Sequence, residues 1–459
     1  MKLLKRIFLP VTAALLMVSC AKQIECSVPA KMVDGTIVTE TPNRAPGQQT
    51  ALQLTCPALD TVRVAFVGIG HRGTSAVKRW AHLDGVKIIA LCDLYQERID
   101  ICQKVLEDAG LPKAAEYVGE KAYEDLCKRD DINLVYIATS WDYHVPVGLC
   151  AMENGKHTAI EVPTAMTLKD CWDLVDACER TQLHCMCLEN CCYDFFEMAA
   201  LQMAQKGLFG EVCHVEGAYI HELASNLGPD HEPWRMGYNS EWRGDNYPTH
   251  GFGPIAQVLN LHRGDKMNTL VAMDTKSFNG AKYGKQNYGY ETFADGDHTI
   301  SLIRTDAEKL IEIQHNIYSP RPYSRMYQIT GTEGFANKYP IYQLAFVSEQ
   351  SGHGHVTPTA EEKMNGMLQE YLPDFAKEIQ EEAKKVGGHG GMDYIMDYRL
   401  VYCLRNGLPL DMDVYDMAEW CCVQELSRIS MENGSVPVQV PDFTRGDWNK
   451  VEGFSYALK

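Results

Sequence analysis

The chain has 459 residues, of which 45% are hydrophobic and 23% are charged, a balance typical of a globular protein with two domains. Its formal net charge of −18 repels phosphate backbones and anionic lipid surfaces, so the composition argues against nucleic acid as a partner. Most of the 17 cysteines lie within apolar stretches, which favours buried free thiols over a disulfide framework or a metal centre.

The N-terminus has the order of an export signal. Three basic residues precede an apolar run over residues 7–18, which is too short to cross a bilayer as a helix and ends just before Cys20. We expect a lipoprotein signal peptide over residues 1–20, with lipidation of Cys20 anchoring an exported protein to a bacterial membrane. Ordinary secretion with an incidental cysteine is the alternative. Residues 21–58 are rich in proline and lack apolar periodicity, so they are interpreted as a tether.

Strands and helices alternate in the next part of the chain. The pattern predicts strands at 62–67, 86–92, 134–138, 157–160 and 185–188, with helices at 74–83, 96–109, 144–154 and 168–180 between them. This alternation is typical of an α/β domain with a doubly wound parallel sheet. We place this domain at residues 59–190.

The pattern of predicted strands and helices changes after about residue 210. Longer segments rich in Tyr, Thr and Val predict strands at 212–220, 299–304 and 309–316, and helices return at 360–385, 392–405 and 414–433. The sequence therefore predicts an α+β second domain over residues 191–459, built on an open, mostly antiparallel sheet and packed against the first domain.

A glycine motif follows the first strand of the α/β domain. Gly68 permits a tight turn, Gly70 lets the backbone approach a pyrophosphate, and Gly73 lets helix and strand pack closely. Asp93 ends the next strand, where a carboxylate binds the ribose hydroxyls of NAD and repels the additional phosphate of NADP. Arg72 would favour NADP by pairing with that phosphate, but Asp93 opposes it. The motif therefore predicts NAD as the cofactor.

Two further segments follow strands of the same sheet. One loop contains Trp141, Asp142, Tyr143 and His144, at the edge where ligands of open α/β sheets bind. Core packing of Trp141 and a helix start at His144 are the alternatives.

The second segment is Glu161-Val162-Pro163. Together with the glycine motif and the loop ending at His144, it resembles the Gfo/Idh/MocA oxidoreductase superfamily. Members usually have lysine where this chain has Val162, and that lysine helps to shuttle the proton of the hydroxyl being oxidised. Valine cannot move a proton, so either another group does or the reaction differs from a plain dehydrogenation.

Three motifs narrow the resemblance. The segments 189–193, 247–251 and 387–393 (Glu-Asn-Cys-Cys-Tyr, Tyr-Pro-Thr-His-Gly and Gly-Gly-His-Gly-Gly-Met-Asp) are similar to glycoside hydrolase family 109, which contains NAD-dependent α-N-acetylgalactosaminidases. The resemblance runs from about residue 62 to the C-terminus. It implies cofactor contacts at His71, Arg72, Asp93, Trp141, Asp142, Tyr143, His144, Glu161, Val162, Asn190 and Tyr247. It implies sugar contacts at Tyr219, Arg235, Tyr247, Pro248, Thr249, His250 and Tyr323.

The resemblance implies a glycosidase that uses NAD for transient oxidation at sugar C3, followed by elimination, water addition and re-reduction. His250 is the candidate for the C3 hydroxyl proton, because an imidazole titrates near neutrality. Tyr247 or Tyr193 would handle the C2 proton or the leaving oxygen if the pKa of the phenol is lowered. The glycine-rich segment around His389 is interpreted as a turn without a catalytic role.

Two alternatives remain open. A plain sugar dehydrogenase would accumulate NADH, and a non-catalytic sugar-binding lipoprotein would retain NAD without releasing any product. No metal is expected, and relatives that pair through the open sheet imply a possible homodimer.

Overall fold

The computed structural model describes residues 24–224, 227–228, 233–350 and 356–456. The predicted signal peptide and Cys20 lie outside these residues. Within the described part of the chain, no helix combines the length and the hydropathy needed to cross a membrane.

The segment predicted as a tether is folded in its described part. Strands β1 (Ala30–Val33) and β2 (Thr36–Thr39) form an antiparallel hairpin whose turn is Asp34-Gly35, both with positive φ. Strand β2 joins the sheet of the second domain, and Ile37 is fully buried. The prediction of a tether over residues 21–58 is therefore wrong here. The Asp-Gly pair between apolar residues was the available signal, since it favours the turn of a two-residue hairpin.

The first domain is a parallel sheet with helices between its strands, as predicted. Its strands are β3 (Val62–Val67), β4 (Val86–Asp93), β5 (Ala115–Val118), β6 (Leu134–Ile137), β7 (His157–Ile160) and β8 (Cys185–Cys187), in the order β5-β4-β3-β6-β7-β8. Its helices are α1 (His71–Trp80), α2 (Gln96–Asp108), α3 (Ala122–Cys127), α4 (Trp141–Glu153) and α5 (Leu168–Thr181). The strand order reverses between β3 and β6, and this switch point opens a crevice at the carboxyl ends of the strands.

The strands of the second domain are β9 (Val212–Ile220), β10 (Met267–Asp274), β11 (Thr299–Thr305), β12 (Leu310–Asn316), β13 (Ser324–Gly331), β14 (Gly334–Asn337), β15 (Gln343–Phe346) and β16 (Val438–Gln439). Together with β1 and β2 they form a ten-stranded sheet in the order β1-β2-β16-β10-β11-β12-β9-β13-β14-β15, which is mostly antiparallel, as predicted. Its helices are α6 (Phe195–Gln205), α7 (Pro233–Glu241), α8 (Thr249–Val258), α9 (Asn279–Tyr288), α10 (Glu361–Glu370), α11 (Asp374–Val386), α12 (Met392–Asn406) and α13 (Val414–Glu432). The single helix predicted over 360–385 is two helices, because Pro373 separates them.

Glycines set the distance between helix α8 and the sheet. A Cβ on Gly251 would lie 2.4 Å from the nitrogen of Ala218 in strand β9, and a Cβ on Gly217 would lie 2.1 Å from the oxygen of Gly251. The helix therefore rests directly on the strand backbone. This close packing places the first turn of α8, with His250, beside Tyr219 of β9.

Candidate active site

Two adjoining cavities lie at the carboxyl edge of the parallel sheet. The first, of about 510 Å³, is lined by the glycine motif, Asp93 and Tyr143, and we call it the Rossmann cavity. The second, of about 440 Å³, is lined by both domains, and we call it the interdomain cavity. Because His71 and Arg72 line both, the two cavities form one continuous cleft.

The glycine motif leaves space for a phosphate. Gly68 has a φ of +80°, and a Cβ on Gly73 would lie 2.0 Å from the oxygen of Gly68, so these two glycines are required by the fold itself. At Gly70 the nearest atom to an added Cβ is 3.5 Å away, on Arg98. No side chain caps helix α1, whose first turn contains no acidic residue. The loop therefore offers the N-terminal end of a helix and open space, which fit the pyrophosphate of NAD.

Asp93 faces the Rossmann cavity from the end of strand β4. Its Oδ2 accepts a hydrogen bond from the N–H of Ile69 at 2.8 Å, and its Oδ1 accepts one from the N–H of Tyr95 at 3.1 Å. Since each carboxylate oxygen has a second lone pair, acceptor capacity remains for ribose hydroxyls. Nη1 of Arg98 lies 3.3 Å from Oδ1, a neighbour that the sequence analysis did not identify.

The residues at the start of helix α4 line different cavities. Tyr143 lines the Rossmann cavity, while Trp141 and His144 line the interdomain cavity. Asp142 is exposed and lines neither, so its predicted cofactor contact is not supported. Nδ1 of His144 lies 2.9 Å from the carbonyl oxygen of Pro163, and Nε2 lies 3.1 Å from that of Thr139. Burial lowers the pKa of His144, so the neutral ring donates to one of these two oxygens and helps to position the loop.

Arg72 is engaged within the protein. Its Nε donates to Oε1 of Glu161 at 2.7 Å, and its Nη1 donates to Oδ2 of Asp393 at 2.7 Å. The guanidinium charge is thus already neutralised by two carboxylates, which opposes a role in binding the additional phosphate of NADP. Val162 and Asn190 line the interdomain cavity. Val162 is an apolar part of its wall at the position where the superfamily usually has lysine.

His250 forms a pair with Glu189 beside the interdomain cavity. Nδ1 of His250 lies 2.7 Å from Oε1 and 2.9 Å from Oε2 of Glu189, which is fully buried. Burial alone would raise the pKa of Glu189, but the charge of His250 and its hydrogen bond outweigh burial and hold that pKa below its ordinary value. A carboxylate only accepts hydrogen bonds, so Nδ1 is the donor and Nε2 is the nitrogen left to exchange a proton.

Potential metal ligands also meet here. The ligand atoms of Glu189, Cys191 and His250 lie within 4.8 Å of one another. Burial raises the pKa of the Cys191 thiol well above its ordinary value, which opposes the thiolate that a metal would require. The hydrogen bonds account for this group without an ion, and the absence of a metal stays a prediction.

Aromatic rings and one cation form the wall around His250. Tyr219 and Tyr247 stack with their centroids 4.7 Å apart, and His250 lies edge-on to Tyr219 at 5.3 Å. The guanidinium of Arg235 lies 4.8 Å from the Tyr247 ring and 5.3 Å from the Trp141 ring. Burial raises the pKa of Tyr247 well above its ordinary value, so this phenol is a hydrogen-bond donor at neutral pH and not a base.

His389 is a second histidine at the cavity, a position that the interpretation of its segment as a turn did not include. The segment is a turn, but His389 lines the interdomain cavity, and its Nδ1 lies 2.9 Å from Oδ2 of Asp393. Burial alone would raise the pKa of Asp393, but Arg72 and the hydrogen bond from His389 hold it well below its ordinary value. The cavity thus presents a second histidine paired with a carboxylate.

Four other predicted contacts are not part of the cavity walls. Tyr193 is buried, and its hydroxyl bonds to Oδ2 of Asp411 at 3.1 Å, while burial raises its pKa well above the ordinary value. Its predicted proton-transfer role is therefore wrong. Pro248 and Thr249 are buried at the start of helix α8, and Tyr323 lies beside His221 outside the cavity.

Comparisons with known proteins identify both domains. The family model described as "Oxidoreductase family, NAD-binding Rossmann fold" matches residues 62–188, and "Glycosyl hydrolase 109, C-terminal domain" matches residues 193–450. A glycosyl hydrolase family 109 protein of Bacteroides thetaiotaomicron is 55% identical, and the alignment covers 99% of this chain and 100% of that protein. A family 109 protein of Porphyromonas gingivalis is 54% identical, with 92% of this chain and 93% of that protein covered.

Solved structures show the same fold at low sequence identity. A levoglucosan dehydrogenase in complex with NADH and L-sorbose superposes with a TM-score of 0.65 at 17% identity, covering 84% of this chain and 100% of the other. The apo scyllo-inositol dehydrogenase from Lactobacillus casei gives 0.59 at 13% identity, covering 83% and 99%. The Rossmann match and the open glycine loop make NAD the cofactor. The chain belongs to glycosyl hydrolase family 109, as an NAD-dependent glycoside hydrolase.

Proposed function

We propose that this enzyme removes terminal α-linked N-acetylgalactosamine from glycans by elimination and water addition. The observation that carries the proposal is the pair of histidine–carboxylate dyads, His250–Glu189 and His389–Asp393, on one cavity next to the glycine motif. A conventional glycosidase needs two carboxylates flanking the bond. Here Glu189 and Asp393 both support histidines, which suits proton transfer at carbon-bound and hydroxyl groups near neutral pH.

NAD, when bound, supplies the chemistry of accepting a hydride from sugar C3 and returning it at the end. Nε2 of His250 accepts the proton of the C3 hydroxyl, replacing the lysine that is absent at Val162. Buried Glu189 fixes the tautomer and the orientation of the ring. The resulting ketone acidifies the neighbouring C2–H.

His389 then performs the second proton transfer. It takes the C2 proton as the C1–O bond breaks and passes that proton to the leaving oxygen, which departs as a hydroxyl. A water molecule then adds its hydroxyl to C1 and gives its proton, through His389, to C2. Because Asp393 is held ionised by Arg72 and Arg79, it supports the positive charge that His389 acquires. Tyr247, Tyr219 and Arg235 enclose the sugar on one side of the cavity.

The test is hydrolysis of p-nitrophenyl α-N-acetylgalactosaminide in heavy water. We expect release of nitrophenol, deuterium at C2 of the product and no net NADH. An Asp142→Asn variant serves as the control, because Asp142 is exposed and lines neither cavity. Nitrophenol release with no deuterium at C2 would exclude elimination, and NADH accumulation without nitrophenol would identify a dehydrogenase.

We also propose that the enzyme acts outside the cytoplasm, attached through a lipidated Cys20. The proposal rests on the basic and apolar order of the first 20 residues. Mass spectrometry of the mature N-terminus tests it, since an unmodified cysteine or an uncleaved leader would contradict it.

A further inference from the structure

One residue of the second domain reaches the cofactor end of the cleft. Among the described residues that line the Rossmann cavity, Trp234 is the only one outside the first domain, and it lines the interdomain cavity as well. The other residues that line both cavities belong to the first domain and are His71, Arg72, Ala138 and Thr139. The junction of the two cavities is therefore formed by Trp234 from one domain and by this group from the other.

Helix α7 holds Trp234 in place. The Trp234 ring packs edge-on against Trp141 with the centroids 5.0 Å apart, and Tyr238, one turn further along α7, packs against the Trp141 ring at 5.2 Å. Nε2 of Gln424 in helix α13 donates to the hydroxyl of Tyr238 at 2.5 Å. Helix α7 is thus fixed against both domains, so the indole has little freedom to lose when a ligand binds beside it.

NAD has to cross this junction. Asp93 and the glycine motif, which fit the adenosine ribose and the pyrophosphate, line the Rossmann cavity, whereas the histidines proposed to transfer protons, His250 and His389, line the interdomain cavity. A dinucleotide that serves both cavities passes the place where they meet. The half-buried ring of Trp234 lies on that route, and covering its exposed part with the cofactor adds to the binding free energy.

We propose that Trp234 contacts bound NAD and slows its dissociation. Because the indole belongs to the second domain and the glycine motif to the first, the cofactor is held between the two domains, and its release breaks the contact with Trp234. Retention suits a reaction that returns NAD in its starting form, since one bound molecule then serves many turnovers. This use of retention rests on the proposed function, whereas the contact itself rests only on NAD as the cofactor.

The experiment follows the release of NAD and needs no glycoside. The enzyme is loaded with radiolabelled NAD and mixed with excess unlabelled NAD, and the label that stays with the protein is measured over time by rapid gel filtration. We expect Trp234→Ala to raise the dissociation rate constant about tenfold, the loss of one aromatic contact, and to change the association rate constant little. Trp448→Ala is the matched control, because Trp448 is a half-buried tryptophan that lines neither cavity.

A dissociation rate constant of Trp234→Ala equal to that of the wild type would overturn the inference, and so would an equal increase in Trp448→Ala. Urea unfolding without NAD shows whether the alanine variant folds. If it does not, Trp234→Leu decides the question, because leucine keeps an apolar side chain against Trp141 but removes the indole. Its dissociation rate constant should also exceed that of the wild type, and an unchanged value would exclude the contact. A failure to hydrolyse any glycoside would contradict the proposed function and leave this measurement unaffected.

Discussion

Glu189 and His250 are 61 residues apart in the chain, yet a carboxylate oxygen of the first lies 2.7 Å from Nδ1 of the second. Glu189 is fully buried, and the N–H of Cys191 also donates to it at 3.0 Å, so its direction is fixed from two sides. The bond holds the imidazole with its other nitrogen toward the cavity. Glu189 is therefore a positioning residue for His250.

Replacing Glu189 with Gln should lower kcat by about 10²-fold, because the amide no longer fixes the tautomer of His250. We expect KM and the affinity for NAD to change little, since Glu189 lines neither cavity. Steady-state kinetics and a titration with NAD measure these quantities. Glu216→Gln is the control, because Glu216 is on strand β9 and bonds to Gln328 away from the cleft. A variant with unchanged kcat, or with a loss confined to KM, would contradict the positioning role.

Replacing His389 with Ala should separate oxidation from bond cleavage. The C3 hydroxyl proton goes to His250, so absorbance of enzyme-bound NADH should still appear in a single turnover, whereas aglycone release should fall by about 10²- to 10⁴-fold. Stopped-flow absorbance and product analysis measure the two steps. His82→Ala, at an exposed position, is the control. If both steps slow equally, His389 acts in oxidation or folding and not in elimination.

The sequence predicted the parts of this site that depend on local pattern. The glycine motif and Asp93 each stand at a recognisable position relative to a strand or a helix. His250 was predicted from the family motif alone, because no helix was predicted around it. The sequence did not predict Glu189 as the partner of His250, because contacts between distant segments leave no local pattern. His389 was missed for a related reason: a glycine-rich turn indicates backbone shape but not which cavity the turn borders.

The family motifs also predicted cleft contacts for residues that do not line the cleft. Thr249 and His250 are adjacent in the same motif, but neighbouring residues of a helix point about 100° apart, so His250 faces the cavity while Thr249 is buried beside Glu189. Tyr193 belongs to another shared motif and bonds instead to Asp411, which is also paired with Arg399. These two motifs therefore contain buried packing residues as well as residues that line the cavity.

Gly70 and Gly73 should respond differently to alanine. A Cβ at Gly73 would overlap the oxygen of Gly68, so Gly73→Ala should lower the free energy of unfolding by about 1–3 kcal/mol or more. Gly70 has a φ of −64° and space for a Cβ, so Gly70→Ala should fold normally but bind NAD at least tenfold more weakly. Denaturant unfolding without cofactor and a titration with NAD measure the two effects. Equal NAD affinity of Gly70→Ala and the wild type would argue against a phosphate at this loop.

Asp245→Asn should change how stability depends on pH. Asp245 is buried below Tyr247, whose N–H donates to its Oδ1 at 3.2 Å, and burial raises the pKa of Asp245 from 3.8 to about 7. Between these values the folded state keeps a proton that the unfolded chain releases, so the free energy of unfolding falls by up to about 1.4 kcal/mol per pH unit and levels off above pH 7. Asn can still accept the hydrogen bond, so the free energy of unfolding of the variant should match that of the wild type near pH 4 and exceed it at pH 8.

Burial also raises the pKa of Asp295, so the variant should keep part of the pH dependence of its free energy of unfolding. Urea unfolding at both pH values measures the difference, with Asp142→Asn as the exposed control. A variant that is less stable at pH 8 than the wild type would show that Asp245 is ionised and stabilised by a partner in the folded protein.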